Sequence, residues 1–379
     1  MHDPRLDRLA DVLVRYSTAV KRGDVVSLSG PPLAEPLIVA LYRSVLSAGG
    51  HPVVVMSPEE CLEELYRRGT SEQLAFVSPL EQKEVETVDV AIHVLATRNT
   101  HALTGVEPSR AAARSKTRRD LMSRFLDRSA RGELRWVVTQ LPCSAAAQEA
   151  EMSLAEYEDF VFAAAMVDHA DSATTWREVS KRQAKLATFL TTIDELHLTT
   201  PAGTDLRLGV QGRVWINCDG KQNLPDGEVF TAPLEEATEG VVAFDFPAVH
   251  GGRQVEGVRL TFRGGRVVDA SAKKGEEYLI QMLDQDTGAR VLGEIGIGCN
   301  YSITRHTRNT LFDEKIGGTF HLAPGSAYPE SGGTNKSALH WDMVGDLRRG
   351  GRIVADGSLI SENGRFVNPD WPQPIDKSG

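Results

Sequence analysis

Between Gly293 and Asp342 the chain gathers side chains able to hold a divalent metal: Glu294, Glu314, His321, Tyr328, His340 and Asp342, with Glu228 as a further candidate upstream. Carboxylate and phenol oxygens with imidazole nitrogens suit hard or borderline ions such as zinc, cobalt or manganese. His340 and Asp342 are two residues apart. The alternation over Ala338–Val344 predicts a strand, from which both side chains would leave one face and reach one ion. This pattern points to metal-dependent hydrolysis.

The settings of these residues sharpen the point. Glu294 sits in the apolar run Val291-Leu292-Gly293-Glu294-Ile295-Gly296-Ile297-Gly298, where a carboxylate is costly unless paired, protonated or metal-bound. His321 lies between Phe320 and Leu322, and His340 and Asp342 flank Trp341. Three apolar segments each carrying a ligand-type residue leave two readings, a metal site or a network of buried ion pairs.

Elements long enough to position such a site are available. At 379 residues the chain exceeds what one core usually supports, so two domains are expected. With 41% hydrophobic and 25% charged residues it is an ordinary globular composition, and the net charge of −10 argues against a general nucleic-acid or anionic-membrane binder. No apolar run reaches the ~18 residues of a membrane span. Met1-His2-Asp3-Pro4-Arg5 leads into an amphipathic helix without the apolar core and cleavage site of a secretory leader. Cys61, Cys143, Cys218 and Cys299 form no CxxC pair and read as structural thiols in a reducing cytoplasm.

The spacing predicts a helix over Leu6–Val20, a strand at Val25–Leu28, a helix from about Glu35 to Gly49-Gly50, and a strand at Pro52–Met56. These make a β-α-β unit whose nearly all-apolar strands suit a buried, Rossmann-like parallel sheet. Val88–Leu95 and Leu134–Thr139 extend it, with His93 read as a core histidine. The arginine-rich Ser109–Arg128 is either an anion-binding patch or the solvated face of a helix with Leu121, Phe125 and Leu126 on its apolar side. No GxGxxG follows a strand, and prolines disqualify Ser29-Gly30-Pro31-Pro32 as a phosphate loop. Leu154–Met166 and Trp176–Phe189 read as helices. Beyond them come short strands separated by Gly-, Pro- and Asp-rich turns, including Val241–Phe246, Val258–Phe262 and Val267–Ala270, with a helix at Gly275–Leu283. The expected layout is an α/β N-terminal domain over residues 1–180 and an α+β, mainly antiparallel, metal-binding catalytic domain over 181–379, with the boundary between 170 and 190.

The run Asn223-Leu224-Pro225-Asp226-Gly227-Glu228-Val229-Phe230-Thr231-Ala232-Pro233 resembles a signature of the aminopeptidase T / aminopeptidase S family of metallo-aminopeptidases. Gly293-Glu294, Thr310-Leu311-Phe312-Asp313-Glu314, the His321–Tyr328 segment and His340-Trp341-Asp342 follow in that family's order. The resemblance covers about residues 190–365 strongly and the first half weakly. It implies a cytoplasmic homodimer that removes N-terminal residues from peptides with a free N-terminus. It also implies two divalent ions held by Glu228, Glu294, His321, Tyr328, His340 and Asp342, with Glu294 bridging and Glu314 either a further ligand or a partner of one. The intervals from Glu294 to Glu314 and from Tyr328 to His340 look shorter than in typical members, which bears on pocket shape more than on metal chemistry.

On that reading two ions about 3.5–4 Å apart would activate a shared water. Glu228 is the carboxylate to test as proton shuttle, or else it only binds metal; Tyr328 would ligate or donate to the tetrahedral oxyanion. A second enzyme class shares the fold implied by the resemblance: ring-cleaving dioxygenases of dihydroxypyridine, with one iron on a His/His/Asp set equivalent in kind to His321, His340 and Asp342. A single-ion triad has no need of Glu228 and Glu294, and their presence favours the peptidase. A non-enzymatic metal protein would call for a closed cysteine/histidine site, which this oxygen-rich set is not.

Overall fold

The computed structural model describes residues 3–169 and 171–375. Its chain contacts divide it into two compact units, Met1–Thr174 with Gly220–Pro225, and Thr175–Asp219 with Asp226–Gly379.

The first unit opens with helix α1 (Pro4–Val12), begun by Pro4 behind an Asp3 cap that accepts from the Arg5 amide at 2.8 Å. The sequence predicts this helix as far as Val20. Instead it widens to π-type geometry over Leu13–Ser17 and stops there. Strand β1 (Val25–Gly30), helix α2 (Glu35–Ala48) and strand β2 (His51–Met56) form the predicted β-α-β unit. Helix α2 ends because Gly49 takes a left-handed φ of 82° and its amide turns back to the Leu46 and Val45 carbonyls. Helices α3 (Glu59–Arg68), α4 (Ser71–Ala75) and α5 (Pro79–Thr87) precede β3 (Val90–Leu95); α6 (Pro108–Ala130) precedes β4 (Arg135–Gln140); α7 (Ser144–Glu149) and α8 (Leu154–Ala164) follow. The sheet runs β2-β1-β3-β4-β8, parallel throughout, its fifth strand being the two-residue β8 (Asn223–Leu224) beside Val138 and Thr139.

Two side-chain readings change here. His93 is exposed rather than in the core, with Nδ1 2.9 Å from Ser29 Oγ, because the outer residues of β3 alternate away from the packed face. Leu126 is also exposed, while Leu121 and Phe125 are half-buried. Several arginines of α6 act as staples: Arg110 donates to the Tyr66 carbonyl at 2.5 Å, Arg118 pairs with Glu81 at 3.0 Å, and Arg128 donates to the Val85 carbonyl at 2.6 Å. No described helix is long and apolar enough to cross a membrane.

The second unit begins along helix α9 (Ser172–Leu190) and is antiparallel. Its larger sheet orders β14 (Arg266–Ser271), β13 (Arg259–Arg263), β10 (Thr238–Ala243), β6 (Asp205–Gly209), β5 (Glu195–Thr199), β18 (Arg352–Ala355), β19 (Ser358–Glu362) and β20 (Arg365–Phe366). The smaller orders β17 (Met343–Asp346), β16 (Thr319–Pro324), β15 (Leu292–Gly298), β9 (Glu228–Thr231) and β7 (Ile216–Cys218). A ribbon of β11 (Ala248–His250) and β12 (Arg253–Val255), helix α10 (Glu276–Leu283) and the short α11 (Thr310–Asp313) complete it. Where the sequence predicts a strand over Ala338–Val344, regular pairing starts only at Met343; His340 makes a single bridge to Gly325, and the chain before β17 is extended but irregular.

Strand alternation sorts the smaller sheet into two faces. Val229, Ile295, Ile297, Phe320, Leu322 and Met343 enter one core cluster, and the residues between them face the other way. Phe320, fully buried with its ring 6.4 Å from that of Phe244, anchors the strand that carries His321. Phe320→Ala is expected to cost about 3–5 kcal/mol, read as a lowered midpoint in equilibrium denaturation.

Candidate metal centre

The face turned away from the core carries the site. Along β15 the alternation places Glu294, Gly296 and Gly298 on it, and pairing sets His321 opposite Gly296 and Glu228 opposite Gly298. The glycines make the room. A Cβ on Gly296 would lie 2.0 Å from His321 Cε1, and one on Gly298 would lie 2.1 Å from the Ile316 carbonyl oxygen. Glu228 is fixed through its backbone: the fully buried Gln183 of α9 donates to its carbonyl at 3.1 Å and to that of Cys218 at 2.9 Å.

Of three groups of ligand-type atoms among the described residues, two share Glu294: Glu228 with Glu294 and His321, and Glu294 with His340 and Asp342. His321 Nε2 stands 3.0 Å from Glu294 Oε1 and 3.3 Å from Glu228 Oε2. The other oxygen of Glu294 lies 3.5 Å from His340 Nε2, which is also 3.5 Å from Asp342 Oδ2. Glu294 therefore offers one oxygen to each group. His340 Nδ1 donates to the Ser326 carbonyl at 2.8 Å, which fixes the tautomer and leaves Nε2 toward the carboxylates, the arrangement usual for a metal-binding imidazole.

The electrostatics show a site short of positive charge. Burial alone would lower the pKa of His321, but its bond to Glu294 and the charges of Glu228 and Glu294 raise it to about 10, so a proton on the imidazole supplies a cation among the carboxylates. Burial, then Glu314 and Glu294, push Asp342 well above the carboxylate range; burial likewise raises Glu228. Glu228 Oε2 and Asp342 Oδ1 are buried and accept no hydrogen bond among the described residues. Buried carboxylates, their orphaned oxygens and the His340 ring held through Nδ1 fit a divalent metal.

The other predicted residues lie around this core. Glu314 follows α11 directly, and its charge and side-chain bond act on Asp342. Tyr328 sits at the rim, its ring edge-on to His340 at 5.2 Å and 5.5 Å from Phe230; burial, then Glu294 and Asp342, raise its phenol pKa. A lysine in Asp313-Glu314-Lys315 reads as surface charge, but Lys315 is buried, with Nζ 3.1 Å from Glu228 Oε1 and in contact with Glu314. Cys218 and Asp226 also approach Glu228. Burial, Asp226 and Glu228 push that thiol well up, keeping it protonated.

The sequence model of the thermophilic metalloprotease (M29) family matches residues 2–366. The chain belongs to that family. It is 28% identical to aminopeptidase 2 of Geobacillus stearothermophilus over 396 residues, covering 94% of this chain and 95% of the relative. It is 34% identical to aminopeptidase T of Thermus aquaticus over 244 residues, covering 55% of this chain and 58% of the relative. The wild-type AmpT structure from Thermus thermophilus superposes with a TM-score of 0.83 at 24% identity, covering 96% of this chain and 99% of that one, and shows the same fold. A 2,5-dihydroxypyridine dioxygenase from Pseudomonas putida superposes with a TM-score of 0.60 at 15% identity, over 96% and 97% of the two chains.

Beside the ligand clusters lies a second buried pair, with His306 Nε2 3.2 Å from Asp313 Oδ2. Burial lowers His306 to about 4, and burial raises Asp313 to about 7 despite bonds from the Thr307 amide and hydroxyl. Through most of the acidic range the pair is neutral, with the acid proton available to the imidazole nitrogen. Because the folded pKa of Asp313 is raised, its contribution is complete below the unfolded value of about 4 and is lost as pH rises to about 7. Asp313→Asn should therefore gain thermal stability relative to the chelator-treated parent between pH 4 and 7, with a constant difference above that. Parallel melting curves across this range check it; a difference independent of pH would count against a protonated Asp313.

Proposed function

We propose that the protein is a metal-dependent aminopeptidase that uses two divalent ions to hydrolyse the N-terminal residue from peptides with a free N-terminus. The observation that carries this is Glu294, which offers one oxygen to each of two ligand groups in a chain of a metalloprotease family. The names of the full-length relatives, aminopeptidase 2 among them, support the exopeptidase reading.

Glu228, Glu294 and His321 would hold one ion, and Glu294, His340 and Asp342 the other, with Glu314 supporting Asp342. Bound ions would supply activation of water and polarisation of the scissile carbonyl. The protein's part is arrangement. Glu228, with Oε1 held by Lys315 and Oε2 bonded to no donor, is placed to ligate through Oε2. Tyr328, half-exposed at the rim with its phenol held protonated, is placed to donate to the developing oxyanion. Placement in the cytoplasm and assembly as a homodimer belong to the same proposal, and sedimentation velocity tests the latter. The dioxygenase reading has a fold likeness at 15% identity and leaves Glu228 and Glu294 without a role.

Aminoacyl-arylamides should be cleaved, their N-acetylated forms ignored, and the activity should vanish with a strong chelator and return with zinc, cobalt or manganese. Equal rates on blocked and free substrates would sink the exopeptidase assignment. Glu294→Gln keeps size and shape but removes the shared charge. Turnover should fall by several orders of magnitude and metal content below two per chain, with the melting temperature of the metal-free form kept or raised. Near-normal turnover with two ions bound would refute the bridge.

A further inference from the structure

Among the described residues Lys315 is the one buried lysine, 2% exposed. Its ammonium lies 3.1 Å from Glu228 Oε1 and against Glu314 Oε2. Two carboxylates close around it, the pairing a buried ammonium requires. The two ligand groups are therefore unequal before any metal arrives. Glu228 already has a fixed cation on one oxygen. Glu294 and Asp342 meet only imidazoles as ion-pair partners among the described residues.

We propose that Lys315 is a built-in cation that competes with metal for Glu228, so that the two positions load in order. The Glu294–His340–Asp342 position takes its ion first and tightly; the Glu228–Glu294–His321 position takes a second only weakly and exchangeably. An ion entering there must share Glu228 with an ammonium whose stem is packed away from solvent, and like charges at such range in a buried site repel with little screening. The same contact makes Lys315 a positioning residue. By binding Glu228 Oε1 and Glu314 it leaves Glu228 Oε2 as the oxygen turned to His321. Occupancy of the second position, and with it turnover, would then follow the free metal concentration. The inference rests on the metallo-aminopeptidase reading and adds an order of filling.

The test is calorimetric titration of the chelator-stripped, full-length protein with zinc. The parent should show one tight step and one weaker step. Lys315→Gln removes the charge and keeps most of the length, and its second step should tighten by about tenfold or more. Lys315→Arg keeps the charge and should leave that step weak. If Lys315→Gln folds only with metal present, both proteins are loaded at saturating zinc and dialysed against graded chelator, and the variant should retain its second ion longer. Equal second-step affinities in parent and Lys315→Gln, or two equally tight ions in the parent, would overturn the inference while leaving the peptidase reading intact. A parent that takes up no divalent ion would sink that reading and the inference with it.

Discussion

Everything around the site follows from packing several carboxylates into one largely buried volume. Glu228, Glu294, Glu314 and Asp342 converge in one small volume, and the protein answers with three cationic or protonatable groups, His321, His340 and Lys315. Buried negative charge without countercharge is among the most costly arrangements a fold can hold. The raised pKa of His321 and Asp342 marks what the metal-free chain does about it, which is to retain protons. A divalent ion would take the place of those protons.

The sheet geometry turns that demand into a defined constellation. Period-two alternation sends Ile295, Ile297, Phe320 and Leu322 to the core and Glu294 and His321 to the opposite face of the same two strands. Core packing and site geometry are therefore set by a single choice of register. Support comes from further away in sequence as well, since Gln183 on α9 holds the Glu228 carbonyl from 45 residues upstream.

Much of this was readable in the chain. Apolar strands interrupted by Glu294 and His321 flag themselves, because a carboxylate or imidazole in such a run needs a reason. The β-α-β opening and the Gly49 stop follow from local rules and appear as expected. Other features depend on contacts between distant residues. Lys315 beside Glu314 looks like surface charge until its burial is known, and His93 looks like a core residue until the face of its strand is known. The pairing of Asn223–Leu224 with Val138–Thr139 joins segments with no shared pattern. His340-Trp341-Asp342 alternates as a strand does, yet lacks a regular partner before Met343; alternation reports the two faces, not the hydrogen bonds.

The floor under His321 is made of atoms the chain lacks. Gly296 leaves no space for even a methyl group beneath the imidazole, and Gly298 none against Ile316. Such a floor constrains sequence drift asymmetrically. At Glu294 or His321 a replacement deletes a chemical function, and reversion alone can restore it. At Gly296 every replacement adds mass, so it can persist only if the ring above has already given way. The two positions are locked in order of change: the imidazole must be surrendered before its floor can be filled, and a lineage that has filled the floor cannot regain the histidine in a single step.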